Sequence, residues 1–208
     1  MVPLLLVALL LPAAGGAETP QYTTVHAESD FEVRLYPRHP LLPRRHQARL
    51  PPIQQALNVF MAARLFQYLM GANLNSSRIR MTTPVLTSVV PGAGPLHSSA
   101  YFVRFYLPVK FQDSPPVPLP ELNLHPDRWP SHCIAVRSFS GYARDKNVVE
   151  EAEKLAMSLS RSPWANSTSY PSKNAYSIAQ YSSPFRFISR VNEVWFDVDC
   201  KSTGVETF

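Results

Sequence analysis

Two cysteines, two Asn-X-Ser/Thr triplets and one basic cluster are the residues of this 208-residue chain whose types and spacing could do chemistry. Cys133 and Cys200 have no second Cys or His at metal-ligand spacing beside them, so a thiolate metal site is not expected. In an oxidising compartment an even count favours a bridge over two buried thiols, and closing so long a loop contributes about 4 kcal/mol. Asn75-Ser76-Ser77 and Asn166-Ser167-Thr168 are N-glycosylation acceptors, expected on exposed loops. The densest part of the +5 net charge is Arg38, His39, Arg44, Arg45, His46 and Arg49. It reads either as a solvated face or, through Arg38, Arg44, Arg45 and Arg49, as an attraction for an anionic surface. The chain has no serine nucleophile elbow, no HExxH and no phosphate-cradling loop, and its seven glycines are scattered, so catalysis is not expected. Zinc-finger spacing and aromatic-interleaved basic motifs are missing too, so nucleic acid is not an expected partner.

Export decides much of that chemistry. Residues 1–17 carry an apolar run from Leu4 to Leu11 followed by a proline and small residues. This is the grammar of a signal peptide cleaved after Ala17, and the run is too short to span a bilayer. The remainder, 18–208, is expected to fold as one secreted domain, for which 45% hydrophobic residues supply a core.

The elements that must position these residues follow from periodicity. FEVRLY (31–36) alternates apolar and polar residues up to Pro37 and predicts a strand; a second strand is expected near 44–50. Ile53, Ala56, Leu57, Phe60, Met61, Leu65, Tyr68 and Leu69 recur at threes and fours, which predicts a helix ending at Gly71. Strands are expected at 79–90, 100–107, 132–139, 174–181 and 193–198, with a second helix at 146–161. The order strands, helix, two strands thus occurs twice. It predicts an α+β fold with one antiparallel sheet, closed or nearly closed, and a helix on each half.

Met81-Thr82-Thr83-Pro84-Val85, Val136-Arg137-Ser138-Phe139-Ser140-Gly141-Tyr142-Ala143 and Asn192-Glu193-Val194-Trp195 together resemble the most recognisable blocks of the SOUL haem-binding family. Residues in the 19–40 and 65–85 stretches are similar to its opening strand and first helix, so the likeness covers about 19–198. The resemblance implies a distorted antiparallel β-barrel flanked by two helices, with a pseudo-twofold repeat, and haem or another tetrapyrrole as ligand. It places the ring against Leu57, Met61, Leu65 and Tyr68 of the first helix, beside Arg64, and assigns the propionates to Arg186. Plain helix-to-sheet packing and solvated charge are the competing readings of those residues. Met81 faces either core or cleft. Where some members carry a proposed iron-ligating histidine this chain has Leu35, so weak binding without an assured axial ligand is expected; His39 is a remote substitute. Glu193 is expected to pair with Arg190 or Arg137. The implied function is a non-catalytic tetrapyrrole carrier or scavenger. The alternative is a secreted module for protein interaction or apolar-ligand binding, with a vestigial haem site.

Overall fold

The computed structural model describes residues 17–44, 64–90, 100–165, 175–182 and 188–200. Seven strands form one antiparallel sheet: β1 (Thr23–Ala27), β2 (Glu32–Tyr36), β7 (His132–Ser140), β9 (Val191–Val198), β8 (Tyr176–Gln180), β4 (Val85–Val90) and β5 (Ala100–Phe105), in that spatial order. The short strands β3 (His39–Arg44) and β6 (His125–Trp129) pair as a separate ribbon, and β3 lies beside β5. The resemblance predicts closure, but among the described residues the sheet keeps two edges, β1 and β5, so no barrel is formed by its ladders.

Register assigns the two faces, because directly opposed residues in an antiparallel sheet point the same way. Val103, Thr87, Ile178, Val194 and Arg137 form one transverse row; Phe102, Ser88, Ser177, Trp195 and Val136 form a neighbouring row on the opposite face. Both helices cover the first face. The second helix, α2 (Asp145–Ser160), buries Val148, Ala152, Leu155 and Leu159, the stripe its sequence predicts. Leu155 and its neighbours pack with Val33, Ala135, Val194 and Phe196 from β2, β7 and β9. The start of α2 is held by Asn147, whose Oδ1 accepts the Arg144 N–H at 2.7 Å. Of the first helix, α1, the described part is 64–69; it lies over β5. Gly71 ends it at φ +110°, where a Cβ would come 3.3 Å from the Ser76 carbonyl oxygen.

Structure and expectation differ in places. The strand expected at 79–90 is limited to Val85–Val90; residues 79–84 lie outside the sheet ladders, with Thr82 Oγ1 donating to the Tyr106 carbonyl. Of the strand expected near 44–50 only position 44 is described, as the last residue of β3; 45–50 lie outside the described residues. β1 and β6 were not predicted: β1 is largely solvated, and β6 reads HPDRW, with proline and aspartate against strand propensity. No helix among the described residues is long and apolar enough to cross a membrane.

Candidate functional site

The sequence-predicted wall divides. Leu65 and Tyr68 are 2% and 0% exposed, packed with Leu69, Ile79, Val103 and Phe105. The Tyr68 hydroxyl donates to the Pro116 carbonyl at 2.6 Å, and burial pushes its pKa up to about 12. These two side chains belong to the α1–β5 core and present no surface to a ligand, which is the packing reading of the stripe. The apolar surface that α1 does expose comes from Phe66 and Met70, and Arg64 is half-buried. Leu57, Met61 and Arg186 lie outside the described residues, as do Arg45 and Arg49. Arg38 is exposed just past β2, and of Arg44 only the strand position is described. Met81 is 51% exposed and so does not belong to the core. Leu35 packs against the cluster beneath α2.

Sequence reading missed the densest polar constellation, which lies on the face that neither helix covers. Arg34 Nη1 and Nη2 donate to Glu193 Oε2 and Oε1 at 3.0 and 2.9 Å. Glu193 also accepts from Tyr181 Oη at 2.8 Å, Trp195 Nε1 at 2.7 Å and Ser138 Oγ at 3.5 Å. Arg34 Nε reaches Glu32 at 2.6 Å, and its guanidinium carbon lies 4.4 Å from the Tyr22 ring centre. Both ends of the pair are buried, so two fully developed charges face each other in low dielectric with their hydrogen-bonding capacity used. Burial opposes the Arg34 charge, but Glu193 more than offsets that and holds the guanidinium firmly protonated. Burial also drives the Tyr36 and Tyr181 phenols well above their ordinary range, and Glu193 adds to both effects.

This corrects the expected partners of Glu193. Arg137 opposes Val194 in register and so points to the α2 face, where it meets Asp30 and Glu151 at 3.0 and 2.8 Å. Arg190 places its guanidinium 4.5 Å from the Tyr142 ring centre. The missed signal was the period-two run Glu32-Arg34-Tyr36, which puts an arginine at mid-strand on the aromatic face. Glu193 and Trp195 share that face.

Cys133, the second residue of β7, and Cys200, two residues past β9, are disulfide-bonded with Cα atoms 5.3 Å apart, as the paired count predicts. Asn75 is exposed in the turn after α1; Asn166 lies outside the described residues.

A family model described as SOUL heme-binding protein matches residues 17–197. The chain belongs to the SOUL family. This SOUL chain is 33% identical to heme-binding protein 2 of Homo sapiens over 132 residues, 64% of this chain and 62% of that protein. It is 32% identical to heme-binding protein 1 of Xenopus laevis over 133 residues, 64% and 66% of the two chains. The matched part therefore spans somewhat less than two thirds of these relatives. Among solved structures, the EcmrR C-terminal domain aligns with a TM-score of 0.51 at 10% identity, covering 86% of this chain and 98% of its own. A hydrolase from Listeria innocua aligns at 0.50 and 10% identity, covering 83% and 93%. At such identities these two likenesses show the fold alone.

In this SOUL chain one cleft opens on the helix-covered face, where Tyr101 packs with both the α1-side and the α2-side clusters. It is lined by Thr87, Tyr101, Tyr176 and Ile178 from the sheet and by Arg144 and Val148 at the start of α2, and has a volume of about 60 Å³. Ligand pockets usually measure roughly 300–1,000 Å³, so this cleft alone does not house a macrocycle.

Proposed function

We propose that this protein binds haem or another tetrapyrrole without catalysing a reaction on it, and serves as a carrier or scavenger outside the cell. The single observation that carries the reading is the family match over residues 17–197. In the proposed arrangement the ring lies on Leu57 and Met61, eight and four residues before Leu65 in the apolar stripe that the sequence predicts. Arg64 and Arg186 neutralise the propionates. Their role is electrostatic: a guanidinium gives a carboxylate two parallel N–H donors. Haem iron, when bound, would bring redox and ligand-binding chemistry, but the chain's own part is limited to holding and shielding the ring. Closure of the curled sheet into a distorted barrel, with a pseudo-twofold relation between halves, belongs to the same proposal. So does export after cleavage at Ala17, which the Cys133–Cys200 bond supports because disulfides persist in oxidising compartments.

The burial of Leu65 and Tyr68 and the leucine at position 35 favour a second reading, a secreted interaction module that has lost the ligand. Haemin titration of the mature protein separates the two. A saturable Soret shift that weakens at least tenfold in Met61→Glu and in Arg64→Glu/Arg186→Glu supports the carrier; no shift, or one indifferent to both variants, refutes this site.

A further inference from the structure

The tetrapyrrole reading does not use the segment after α1, ANLNSS (72–77), which holds two asparagines in contrasting settings. Asn73 is 2% exposed and organises the turn: Nδ2 donates to the Tyr68 and Ser77 carbonyls at 3.3 and 2.8 Å, and Oδ1 accepts the Ser77 N–H at 2.9 Å. The Ser76 N–H adds a 2.9 Å bond to the Asn73 carbonyl, with Ser76 at φ +50°. Asn75, at the apex, is exposed, and it alone of the two begins an Asn-X-Ser triplet. The turn therefore holds its shape through Asn73 while leaving the Asn75 side chain outside.

Around that apex the surface is unusually apolar. Phe66, Met70 and Leu74 are about half exposed or more, and so is Val117, whose carbonyl accepts the Leu74 N–H at 2.8 Å. Phe66 and Met70 are one helical turn apart, joined by a 2.9 Å backbone bond. Apolar side chains gathered like this on a secreted protein invite association unless something covers them.

We propose that Asn75 carries an N-linked glycan, and that the glycan shields the Phe66–Met70–Leu74–Val117 surface. The inference rests on the export reading and is independent of the tetrapyrrole. In the transfer, the Asn75 amide nitrogen bonds to the anomeric carbon of a lipid-diphosphate-linked oligosaccharide, the co-reactant. The sugar-to-diphosphate C–O bond breaks, the lipid diphosphate leaves with the electron pair, and the amide proton goes to a base of the transferase. No electron change is involved. Transfer occurs on the unfolded segment, so the requirement on the fold is that it accept the product. An exposed asparagine outside every strand, in a turn secured by a different asparagine, meets that requirement.

The test uses the full chain expressed in a secretory eukaryotic cell and recovered from the medium. Intact mass and peptide mapping, before and after peptide-N-glycosidase, are compared for wild type, Asn75→Gln and Asn166→Gln. The expected result is one glycan's mass lost in Asn75→Gln, conversion of Asn75 to aspartate by the glycosidase in wild type, and at least a twofold rise in hydrophobic-dye binding once the Asn75 sugar is gone. That rise should fall back in Asn75→Gln carrying Met70→Gln and Leu74→Gln. An unmodified Asn75 peptide in secreted protein whose Cys133–Cys200 bond is formed overturns the glycan itself. Chain retained in the cytosol with both thiols reduced and no sugar overturns it through the export reading. An unchanged dye signal overturns the shielding.

Discussion

Replacing Arg34 by methionine tests the reasoning about the uncovered sheet face most sharply. The substitution keeps much of the side-chain volume but leaves the Glu193 carboxylate, 5% exposed, with only Tyr181, Trp195 and Ser138 as donors. The two charge-assisted bonds lost are those at 2.9 and 3.0 Å. Removing one partner of a buried pair typically costs about 3–5 kcal/mol, because the remaining charge is left in low dielectric without compensation. Against a total stability of about 5–15 kcal/mol this is a large fraction, and for a domain of this size it lowers Tm by on the order of 10 °C. Arg34→Met/Glu193→Gln should recover most of the loss: the neutral amide still accepts from Tyr181 and Trp195, and no unpaired charge remains. Urea unfolding followed by tryptophan fluorescence reads all three proteins, since Trp195 lies in the constellation itself. A single-variant loss under about 1 kcal/mol, or a double variant no more stable than the single, would refute the view that this is a desolvated pair.

Two further predictions concern burial and the cross-link. In a spectrophotometric alkaline titration, Tyr36, Tyr68 and Tyr181 should stay protonated past the usual tyrosine value of about 10. Their folded pKa values are raised, so the stability they contribute is complete below about pH 10 and, for Tyr68, is lost as pH rises towards about 12; full ionisation of every tyrosine near pH 10 in folded protein would contradict the packing. Cys133→Ser/Cys200→Ser should lose about 4 kcal/mol in urea unfolding, from the loop of 67 residues that the bond closes. A loss below about 1 kcal/mol would place the disulfide's effect outside the chain-entropy account.

How much of this was legible in the sequence depended on how local the determining physics was. FEVRLY announced β2 through its alternation, and Val148, Ala152, Leu155 and Leu159 announced α2, because those periods are properties of a few consecutive residues. The cysteine pair was legible from its even count together with the expected export. The partner of Glu193 was not: Arg34 lies 159 residues away, and which arginine reaches it depends on β2 and β9 flanking β7 with Arg34, Ser138 and Glu193 on one face. Leu65 and Tyr68 were ambiguous for a different reason. An apolar stripe looks the same whether a ring or a strand covers it, and only the position of Val103 and Phe105 on β5 assigned these two residues to the core.

The disulfide joins the second residue of one central strand to a residue two positions beyond the end of its neighbour, where Cys133 opposes Val198. Tension applied through the C-terminal tail is therefore delivered to a covalent rivet before it reaches the β7–β9 ladder. The strand bearing Glu193 cannot be unzipped from that end until the rivet is reduced, which makes redox state the gate on mechanical or proteolytic access to the middle of the molecule.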